Sequence, residues 1–244
     1  MVALVLRNFV ARSQLPLMVA LDNPKLDLGF LADMVSSMRG LVVGFKLGTP
    51  FLVGKGAKAL KNLLESYSDV YFLADLKLAD LPHIMEYSVE VLSEAGFRGV
   101  VAAAFVGYEG ALDRLSKKCE SLGIDLLLQI TFDHPSSYIV DSLYAYVKKI
   151  VRQVDPEGLV VPASKTTIIR DLRDTFGDTY VILAPGIFVA GAEPGEGLCY
   201  GADVEVVGSR VVAAPSPLSA LREVAEHQRR YLTANIDRCV GRRL

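Results

Sequence analysis

The sequence predicts a single (β/α)8 barrel, an α/β fold in which parallel strands alternate with helices and the active site lies at the carboxyl ends of the strands. Short apolar runs alternate with longer amphipathic segments along the whole 244-residue chain. No Ser/Pro-rich linker and no shift in composition divides these segments into two groups. We therefore expect one domain over residues 1–244, in which residues 1–16 cover one end of the barrel.

Eight short segments are predicted as strands. Each is a continuous apolar run, as expected for parallel strands that are buried on both faces. The regular alternation of these runs with helical segments favours a barrel. The predicted strands are Leu17–Asp22, Leu41–Lys46, Val70–Asp75, Gly99–Ala103, Asp125–Ile130, Gly158–Val161, Tyr180–Leu183 and Val204–Val207.

Helical spacing of apolar residues appears between the strands and again after the last one. The final helix has Ser216 as its predicted N-cap and Pro217 at its first position. An open doubly wound sheet is the alternative fold, but the first strand is not followed by the G-x-G-x-x-G that is typical of it. The predicted helices are Leu28–Met38, Lys55–Ser66, Pro82–Ala95, Tyr108–Ser121, Tyr138–Val154, Thr166–Phe176 and Pro217–Tyr231.

Composition argues against nucleic-acid and membrane partners. The formal net charge is -2, and Lys and Arg are spread along the chain without forming a basic patch. The apolar run near the N-terminus is too short for a signal peptide or a membrane span. The cysteines Cys119, Cys199 and Cys239 form no metal-binding cluster. Reduced thiols, and hence a cytoplasmic protein, are the favoured interpretation, and a structural disulfide is the alternative.

One short segment concentrates charge at the end of the third predicted strand. FLADLKLADLP places Asp75, Lys77 and Asp80 within six residues, and Asp22 and Lys46 end the two preceding strands. The two-residue spacing of Asp75 and Lys77 places both on the same side of an extended segment. A protonated lysine beside a fixed carboxylate suits the neutralisation and protonation of a carbanion. The alternative is an ordinary network of ion pairs.

With its flanking segments, this motif resembles the orotidine 5'-monophosphate decarboxylase family, and D-x-K-x-x-D-[hydrophobic]-P is its most specific part. The resemblance implies decarboxylation of orotidine 5'-monophosphate to uridine 5'-monophosphate in de novo pyrimidine biosynthesis, without metal, flavin or other cofactor. The matching segments are MVALD (18–22), GFKLGTP (44–50), DLKLADLP (75–82), DHP (133–135), APGI (184–187) and VGSR (207–210).

The resemblance also implies a role for each charged residue. Lys77 would protonate C6 of the pyrimidine, and Asp75 would crowd the carboxylate that is lost. Asp22 and Lys46 would hold the ribose hydroxyls, and Lys46 would pair with Asp75. Asp80 would contact the ribose in the partner subunit's site, which implies a homodimer with shared active sites.

Phosphate binding is expected in the loops that follow the last two strands. The glycine-rich loop that begins at Pro185 and Gly186, and Gly208 in the other loop, suit a phosphate that is bound through backbone N–H groups of these loops. In the family an Arg follows the second glycine directly, whereas here Ser209 takes that place and Arg210 comes one residue later. Arg210 reaches the phosphate with its long side chain, or Ser209 and backbone groups bind it instead.

The residues expected to contact the pyrimidine also depart from the family. Alignment on the glycines puts Ala190 where the family has a Gln that bridges phosphate and base. Asp133 takes the place of a Ser that precedes His-Pro, and Thr131 is the other candidate. An ionised Asp133 can accept a hydrogen bond from a pyrimidine N–H but cannot donate to a carbonyl. Ile84 replaces a Thr, which removes a hydrogen bond across the expected dimer interface.

Two further functions are weighed against decarboxylation of orotidine 5'-monophosphate. Hexulose-phosphate synthases and keto-gulonate phosphate decarboxylases share the Asp-x-Lys-x-x-Asp motif but bind Mg²⁺ through a Glu at the end of the second strand. This chain has Lys46 at that place, so the resemblance implies no metal. A non-catalytic phosphosugar- or nucleotide-binding relative is the third possibility, and it would have little use for the proton donor Lys77.

Overall fold

The predicted (β/α)8 barrel is confirmed by a computed structural model that describes residues 5–189 and 191–239. The strands are all parallel and follow chain order, and β1 pairs with both β2 and β8, which closes the barrel. The strands β1 to β8 are Leu17–Leu21, Gly44–Gly48, Phe72–Leu78, Gly99–Ala103, Asp125–Gln129, Gly158–Val160, Val181–Pro185 and Val204–Val207.

Helices surround the barrel. Within the described part of the chain, no helix combines the length and apolarity needed to cross a membrane. The helices α1 to α12 are Val5–Arg12, Leu28–Met38, Thr49–Lys55, Ala57–Ser66, Pro82–Glu94, Asp113–Leu122, Tyr138–Asp141, Tyr144–Val154, Thr166–Phe176, Glu196–Cys199, Ser209–Val212 and Pro217–Ala234.

Apolar side chains fill two layers, one inside the barrel and one between the strands and the helices. At the amino-terminal end of the strands, Leu6 of α1 packs into the inner layer with Met18 and Tyr71. The Leu6 N–H donates to Asp125 Oδ2 at 2.8 Å, and the Tyr71 hydroxyl donates to the same oxygen at 3.0 Å. This end of the barrel is therefore filled, which leaves the opposite end for a site.

Most differences from the predicted elements arise where a turn interrupts an apolar run. The strand predicted over Leu41–Lys46 begins at Gly44 because the N–H groups of Leu41 and Val42 still donate to Met38 O at the end of α2. The short helix α3 was missed, and Gly56, with a φ of +78°, ends it before α4. Left-handed backbone of this kind favours glycine.

Two long helices differ from their predicted bounds: one begins later than predicted, and the other is divided into two helices. The helix predicted over Tyr108–Ser121 becomes regular only at Asp113, because Glu109 and Gly110 have non-helical backbone angles. The helix predicted over Tyr138–Val154 is two helices, α7 and α8. Ser216 does occupy the N-cap position of α12, but its side chain makes no capping hydrogen bond.

The expectation of reduced thiols was wrong for two of the three cysteines. Cys199, at the end of α10, and Cys239, beyond α12, form a disulfide with a Cα–Cα distance of 4.4 Å. Sequence separation of 40 residues concealed the pair, which is assembled only when α12 packs back onto α10. Cys119 is a buried free thiol.

Candidate active site

Four alternating charges lie at the carboxyl ends of β1, β2 and β3. The Lys46 ammonium is 3.1 Å from Asp22 Oδ1 and 2.7 Å from Asp75 Oδ2. The Lys77 ammonium is 2.7 Å from Asp75 Oδ1. The structure thus brings together Asp22, Lys46, Asp75 and Lys77 in that order, and we call these four residues the charge row.

Strand register places these side chains on the inside of the barrel. Ala20 of β1 pairs with Lys46 of β2, and Gly48 of β2 pairs with Asp75 of β3. Because side chains alternate along a strand, Asp22 follows Ala20 on the inner side. A Cβ atom at Gly48 would lie 1.8 Å from Asp22 Oδ1, so the glycine leaves the space that the carboxylate occupies.

Within the charge row, opposite charges outweigh the effect of burial on the pKa of Asp75 and on the pKa of Lys46. Burial alone would raise the pKa of Asp75, but the ammonium groups of Lys46 and Lys77 hold that pKa below its usual value. Burial alone would lower the pKa of Lys46, but the Asp75 and Asp22 carboxylates raise it above its usual value. Only 6% of Asp75 is exposed, so its charge depends on these neighbours.

The backbone at Lys77 is strained. Its φ is +49°, and the pairing of β3 with β4 shifts register between Ala74 and Leu78. The side chains of Asp75 and Lys77 do meet as predicted, although the strand end that carries them is irregular at Lys77 and not fully extended. Residues other than glycine rarely adopt such angles, and those that do cluster at functional sites.

Asp80 lies apart from the charge row within the protomer. It is exposed at the start of α5, and its Oδ1 accepts a hydrogen bond from the Leu81 N–H at 2.6 Å. It does not appear among the described residues that line the two cavities next to the charge row. The motif therefore supplies two residues to the protomer's own site and directs the third outward.

An apolar chamber of about 260 Å³ lies beside Lys46, Asp75 and Lys77 inside the mouth of the barrel. Its walls are mostly aliphatic, as in sites that bind small planar ligands. The apolar lining consists of Leu73, Val101, Phe132, Val160, Pro162, Leu183, Val189 and Val206.

Two buried acceptor atoms of the chamber lining have no hydrogen-bond partner. They are Asp133 Oδ2 and Gln129 Oε1. The other oxygen of Asp133 accepts from the Ser164 hydroxyl at 2.7 Å. An unpaired buried acceptor costs about 1–3 kcal/mol, so a ligand that donates a hydrogen bond would be stabilised here.

A wider cleft of about 1230 Å³ continues from the chamber towards the loops after β7 and β8. Pro185 and Gly186 line both spaces, and Gly208, Ser209 and Arg210 line the cleft alone. The Arg210 guanidinium carbon is 5.4 Å from the centre of the Phe188 ring, so its side chain lies across the cleft from the loop after β8 to the loop after β7. Backbone and guanidinium donors thus face one space.

The end of the loop after β7 is fixed by a buried carboxylate. Glu205 of β8 accepts hydrogen bonds from the N–H groups of Gly195 and Gly197 and from the side chain of Gln228 on α12. Burial raises the pKa of Glu205 to about 7. The Cys199–Cys239 disulfide also joins this region to the C-terminal part of the chain, since Cys199 ends α10 and Cys239 follows α12.

Thr131, a predicted binding residue, is not among the described residues that line the two cavities. Thr131 is 1% exposed, and its hydroxyl donates to Asp141 instead of facing the chamber. Asp141 is in turn paired with Lys165 at 2.7 Å. Ala190, the residue aligned with the family's Gln, lies outside the described residues.

The sequence did not point to Gln129 and Phe132 of the chamber lining, or to Ser164, which donates to Asp133. Gln129 lies two residues after the inward-facing Leu127, so strict alternation along β5 would have found it. Phe132 and Ser164 lie in loops, where no sequence periodicity points to them. Across residues 5–189 and 191–239, no group of three or more His, Cys, Asp and Glu side chains could hold a metal ion.

Comparison with known proteins gives a consistent result. The sequence profile of the "Orotidine 5'-phosphate decarboxylase / HUMPS family" matches residues 15–224. The orotidine 5'-phosphate decarboxylase of Aeropyrum pernix is 39% identical over 213 residues, which cover 86% of this chain and 86% of that protein. The protein of the same name from Saccharolobus solfataricus is 31% identical over 207 residues, or 84% of this chain and 88% of that protein.

Solved structures extend the likeness to three dimensions. The crystal structure of orotidine 5'-monophosphate decarboxylase from Sulfolobus solfataricus has a TM-score of 0.78 and 30% sequence identity with this chain. The match covers 90% of this chain and 99% of that chain. The corresponding enzyme structure from Metallosphaera sedula has a TM-score of 0.74 at 32% identity, and covers 88% and 98% of the two chains.

Proposed function

Because the chain belongs to the orotidine 5'-phosphate decarboxylase / HUMPS family, we propose that it converts orotidine 5'-monophosphate to uridine 5'-monophosphate and CO2, a step of pyrimidine biosynthesis. The observation that carries the proposal is the charge row beside the apolar chamber. The family name covers more than one activity, so the chemistry of this row must distinguish them.

The charge row supports a decarboxylation without a cofactor. The C6–carboxylate bond breaks, CO2 leaves, and the electron pair stays on C6, which takes a proton from Lys77 Nζ. Asp75 lies beside the carboxylate of the substrate, where its charge destabilises the bound anion more than the neutral CO2 that departs. The Lys77 cation stabilises the charge that develops at C6, and the amine then regains a proton from solvent.

Replacement of Lys77 tests this mechanism. Lys77→Ala should lower kcat by at least about 10³-fold, because Lys77 supplies the only ammonium at Asp75 Oδ1 among the described residues, while binding of uridine 5'-monophosphate remains measurable. Turnover is followed by loss of the orotidine 5'-monophosphate absorbance, and binding by calorimetry. Lys148→Ala, on α8, is the matched control and should keep wild-type activity. A wild-type protein that neither turns over this substrate nor binds the product would overturn the proposal.

The ribose and the phosphate of the substrate are proposed to bind at different places in the two cavities. Asp22 and Lys46 lie where the two spaces meet, which suits the ribose hydroxyls. The phosphate fits the cleft, where Gly208 and Ser209 offer backbone donors and Arg210 offers charge. Arg210→Ala should raise KM more than it lowers kcat. If Ser209→Ala raises KM and Arg210→Ala does not, Arg210 is not the phosphate ligand.

A magnesium-dependent activity of the synthase type is the second candidate. It would require a carboxylate at the end of β2, where Lys46 stands 2.7 Å from Asp75. A divalent cation placed between the carboxylates of Asp22 and Asp75 would displace that ammonium or be repelled by it. Turnover of orotidine 5'-monophosphate should therefore be unchanged by a chelator. Activity that falls with chelator and returns with Mg²⁺ would favour the second candidate.

A homodimer with shared sites is supported by the surface around Asp80. Apolar side chains form an exposed stripe along α5, whose 3- and 4-residue spacing puts them on one face. Their exposed fractions are 62% for Leu81, 40% for Ile84, 61% for Tyr87 and 39% for Val91. A second copy that packs on this stripe would bring its own Asp80 towards this protomer's site.

Mixing two inactive variants tests the shared site directly. Asp80→Ala and Lys77→Ala should each be inactive alone. In a heterodimer, one site receives the intact Lys77 from one chain and the intact Asp80 from the other. Random exchange of subunits should restore about a quarter of the wild-type activity. A mixture that shows exchange by mass spectrometry but no activity would place Asp80 outside the partner's site.

The cytoplasm is the proposed location, since a phosphorylated and charged substrate is retained there. The Cys199–Cys239 disulfide is compatible with this location, because intracellular proteins of hyperthermophiles are often rich in disulfides.

A further inference from the structure

The segment GFKLGTP (44–50) contains a threonine to which the proposed reaction gives no role. Lys46 and Gly48 of this segment lie in β2, and Thr49 begins α3 directly after them. The Thr49 hydroxyl donates to the backbone carbonyl of Asp75 in β3 at 3.1 Å. Thr49 therefore contacts the residue that pairs with both lysines of the charge row.

This hydrogen bond continues the pairing of β2 with β3 by one residue. Gly48 and Asp75 form the last pair in the register of the two strands. After Gly48 the chain turns into α3, and the side chain of Thr49 then supplies a donor to β3. The carbonyl of Asp75 is therefore held from the β2 side of the barrel wall.

The residues after Asp75 depart from regular strand backbone. Lys77 has a φ of +49°, and the pairing of β3 with β4 shifts register between Ala74 and Leu78. Residues that have a Cβ rarely keep such an angle unless their surroundings enforce it. The Asp75 carbonyl and the N–H of the next residue belong to one rigid peptide plane. A hydrogen bond that fixes the Asp75 oxygen therefore also fixes the start of the irregular segment.

The backbone of Lys77 determines where its ammonium group lies. Lys77 Nζ is 2.7 Å from Asp75 Oδ1, although 38% of the lysine side chain is exposed and much of it is free of packing contacts. A change in the φ of Lys77 rotates the side chain about the backbone. Relaxation of the strained angle would therefore move the ammonium away from its place beside Asp75.

We propose that Thr49 is a positioning residue for the proton donor, an inference that rests on the proposed function. Its hydroxyl holds the Asp75 carbonyl, and the held peptide keeps Lys77 in its left-handed conformation. That conformation places Nζ beside Asp75, where C6 of the substrate is to be protonated. Thr49 is not among the described residues that line the two cavities, so it acts through Lys77 and does not touch the substrate.

Removal of the hydroxyl tests this role. Thr49→Val keeps the branched shape, and because Thr49 is exposed the variant opens no cavity in the core. For orotidine 5'-monophosphate, kcat should fall about 3- to 10-fold, the loss expected for one neutral hydrogen bond. KM should change by less than about 2-fold, because no contact with the substrate is lost. Thr49→Ser keeps the hydroxyl and should restore kcat.

A matched control removes a hydrogen bond of the same kind elsewhere. Ser66 on α4 also donates from an exposed hydroxyl to a backbone carbonyl, at 2.7 Å. Ser66→Ala should change neither kcat nor KM.

Proton transfer can also be measured apart from decarboxylation. In deuterium oxide, Lys77 can remove the C6 proton of uridine 5'-monophosphate and return a deuteron, which repeats the proposed protonation step in both directions. Nuclear magnetic resonance follows the loss of the C6 proton signal. Thr49→Val should slow this exchange by the same factor as kcat, whereas the affinity for uridine 5'-monophosphate in calorimetry should stay unchanged.

Crystal structures of the wild type and Thr49→Val separate this inference from the proposed reaction, because the distance from Lys77 Nζ to Asp75 Oδ1 does not depend on activity. If the wild type turns over orotidine 5'-monophosphate and Thr49→Val keeps its kcat, or loses kcat that Thr49→Ser does not restore, the role of Thr49 is overturned and the reaction stands. If the wild type is inactive, the reaction is overturned. A longer distance in Thr49→Val then still supports the role of Thr49, and an unchanged distance overturns it.

Discussion

Removal of the Lys46 ammonium should cost far more stability than removal of a less buried lysine that lies at a similar distance from its carboxylate. Lys46 Nζ lies 2.7 Å from Asp75, and the two side chains are only 11% and 7% exposed. Lys148 Nζ lies 2.8 Å from Asp171, with side chains that are 24% and 44% exposed. Lys46→Met and Lys148→Met therefore compare equal distances at different burial.

The expected cost follows from charge and burial together. At 2.7 Å and an effective dielectric constant of about 20, the attraction between Lys46 and Asp75 is about 6 kcal/mol. The variant no longer has to desolvate a buried ammonium, which offsets several kcal/mol of that loss. Asp75 also retains its ion pair with Lys77 at 2.7 Å. We expect Lys46→Met to lower the free energy of unfolding by about 3 kcal/mol. For the exposed pair the expected loss is below about 1 kcal/mol.

The pH dependence of this loss has a definite sign. The pKa of Asp75 is lowered in the folded protein, so its pairing stabilises the fold above the usual carboxylate range and is lost as pH falls through it. The pKa of Lys46 is raised, so its contribution is full below its usual value of 10.5 and is lost as pH rises beyond. The difference between wild type and Lys46→Met should therefore be largest near neutral pH and shrink in acid.

Urea denaturation at several pH values measures all of these quantities. A double-mutant cycle with Asp75→Asn isolates the coupling between the two side chains, which should exceed about 2 kcal/mol. The reasoning is refuted if Lys46→Met costs no more than Lys148→Met at pH 7, or if the cost does not decrease as pH falls below 3.8, the usual pKa of an Asp side chain.

Three other predictions concern the surroundings of the site. The pKa of Glu205 is raised from 4.5 to about 7, so the free energy of unfolding should fall by about 3 kcal/mol relative to Glu205→Gln as pH rises across that interval; equal pH profiles would contradict this. Cys239→Ser should lower stability by about 4 kcal/mol, because the disulfide spans 40 residues, and dithiothreitol should destabilise wild type but not the variant. Gly48→Ala places a Cβ 1.8 Å from Asp22 Oδ1, so steady-state kinetics should show a raised KM, and an unchanged KM would mean that Asp22 does not bind substrate.

The fold was predictable because barrel strands are buried on both faces and therefore appear in the sequence as short apolar runs. Gly99–Ala103 is a continuous apolar run, Val204–Val207 is apolar apart from Glu205, and both predicted segments match the observed strands residue for residue. Errors arose where hydrogen bonds outside the sheet set the first residue of a strand. At β2 the N–H groups of Leu41 and Val42 donate to Met38 O in the turn after α2, so the strand begins only at Gly44. The disulfide could not be predicted from spacing, because only the packing of α12 brings its two ends together.

The candidate site was predictable in part for the same reason. Lys46 and Asp75 lie within β2 and β3, so alternation and register determine where their side chains point. Thr131 and Ser164 lie in loops, where neither rule applies. The sequence pointed to Thr131 as a binding residue and gave no indication of Ser164. Thr131 donates to Asp141 away from the chamber, whereas Ser164 orients Asp133 beside it.

This division between strands and loops has a consequence for how the site responds to substitution. Lys46 and Asp75 are buried members of a barrel that is stabilised by their pairing, so changes there should reduce stability and turnover together. Asp133 and Arg210 lie outside the strands, and the unpaired oxygen of Asp133 already costs stability in the free protein. Substitutions at these two positions should therefore change ligand affinity while leaving stability unchanged or improved. Such a trade-off is expected where polar groups of a binding site stay without partners until the ligand binds.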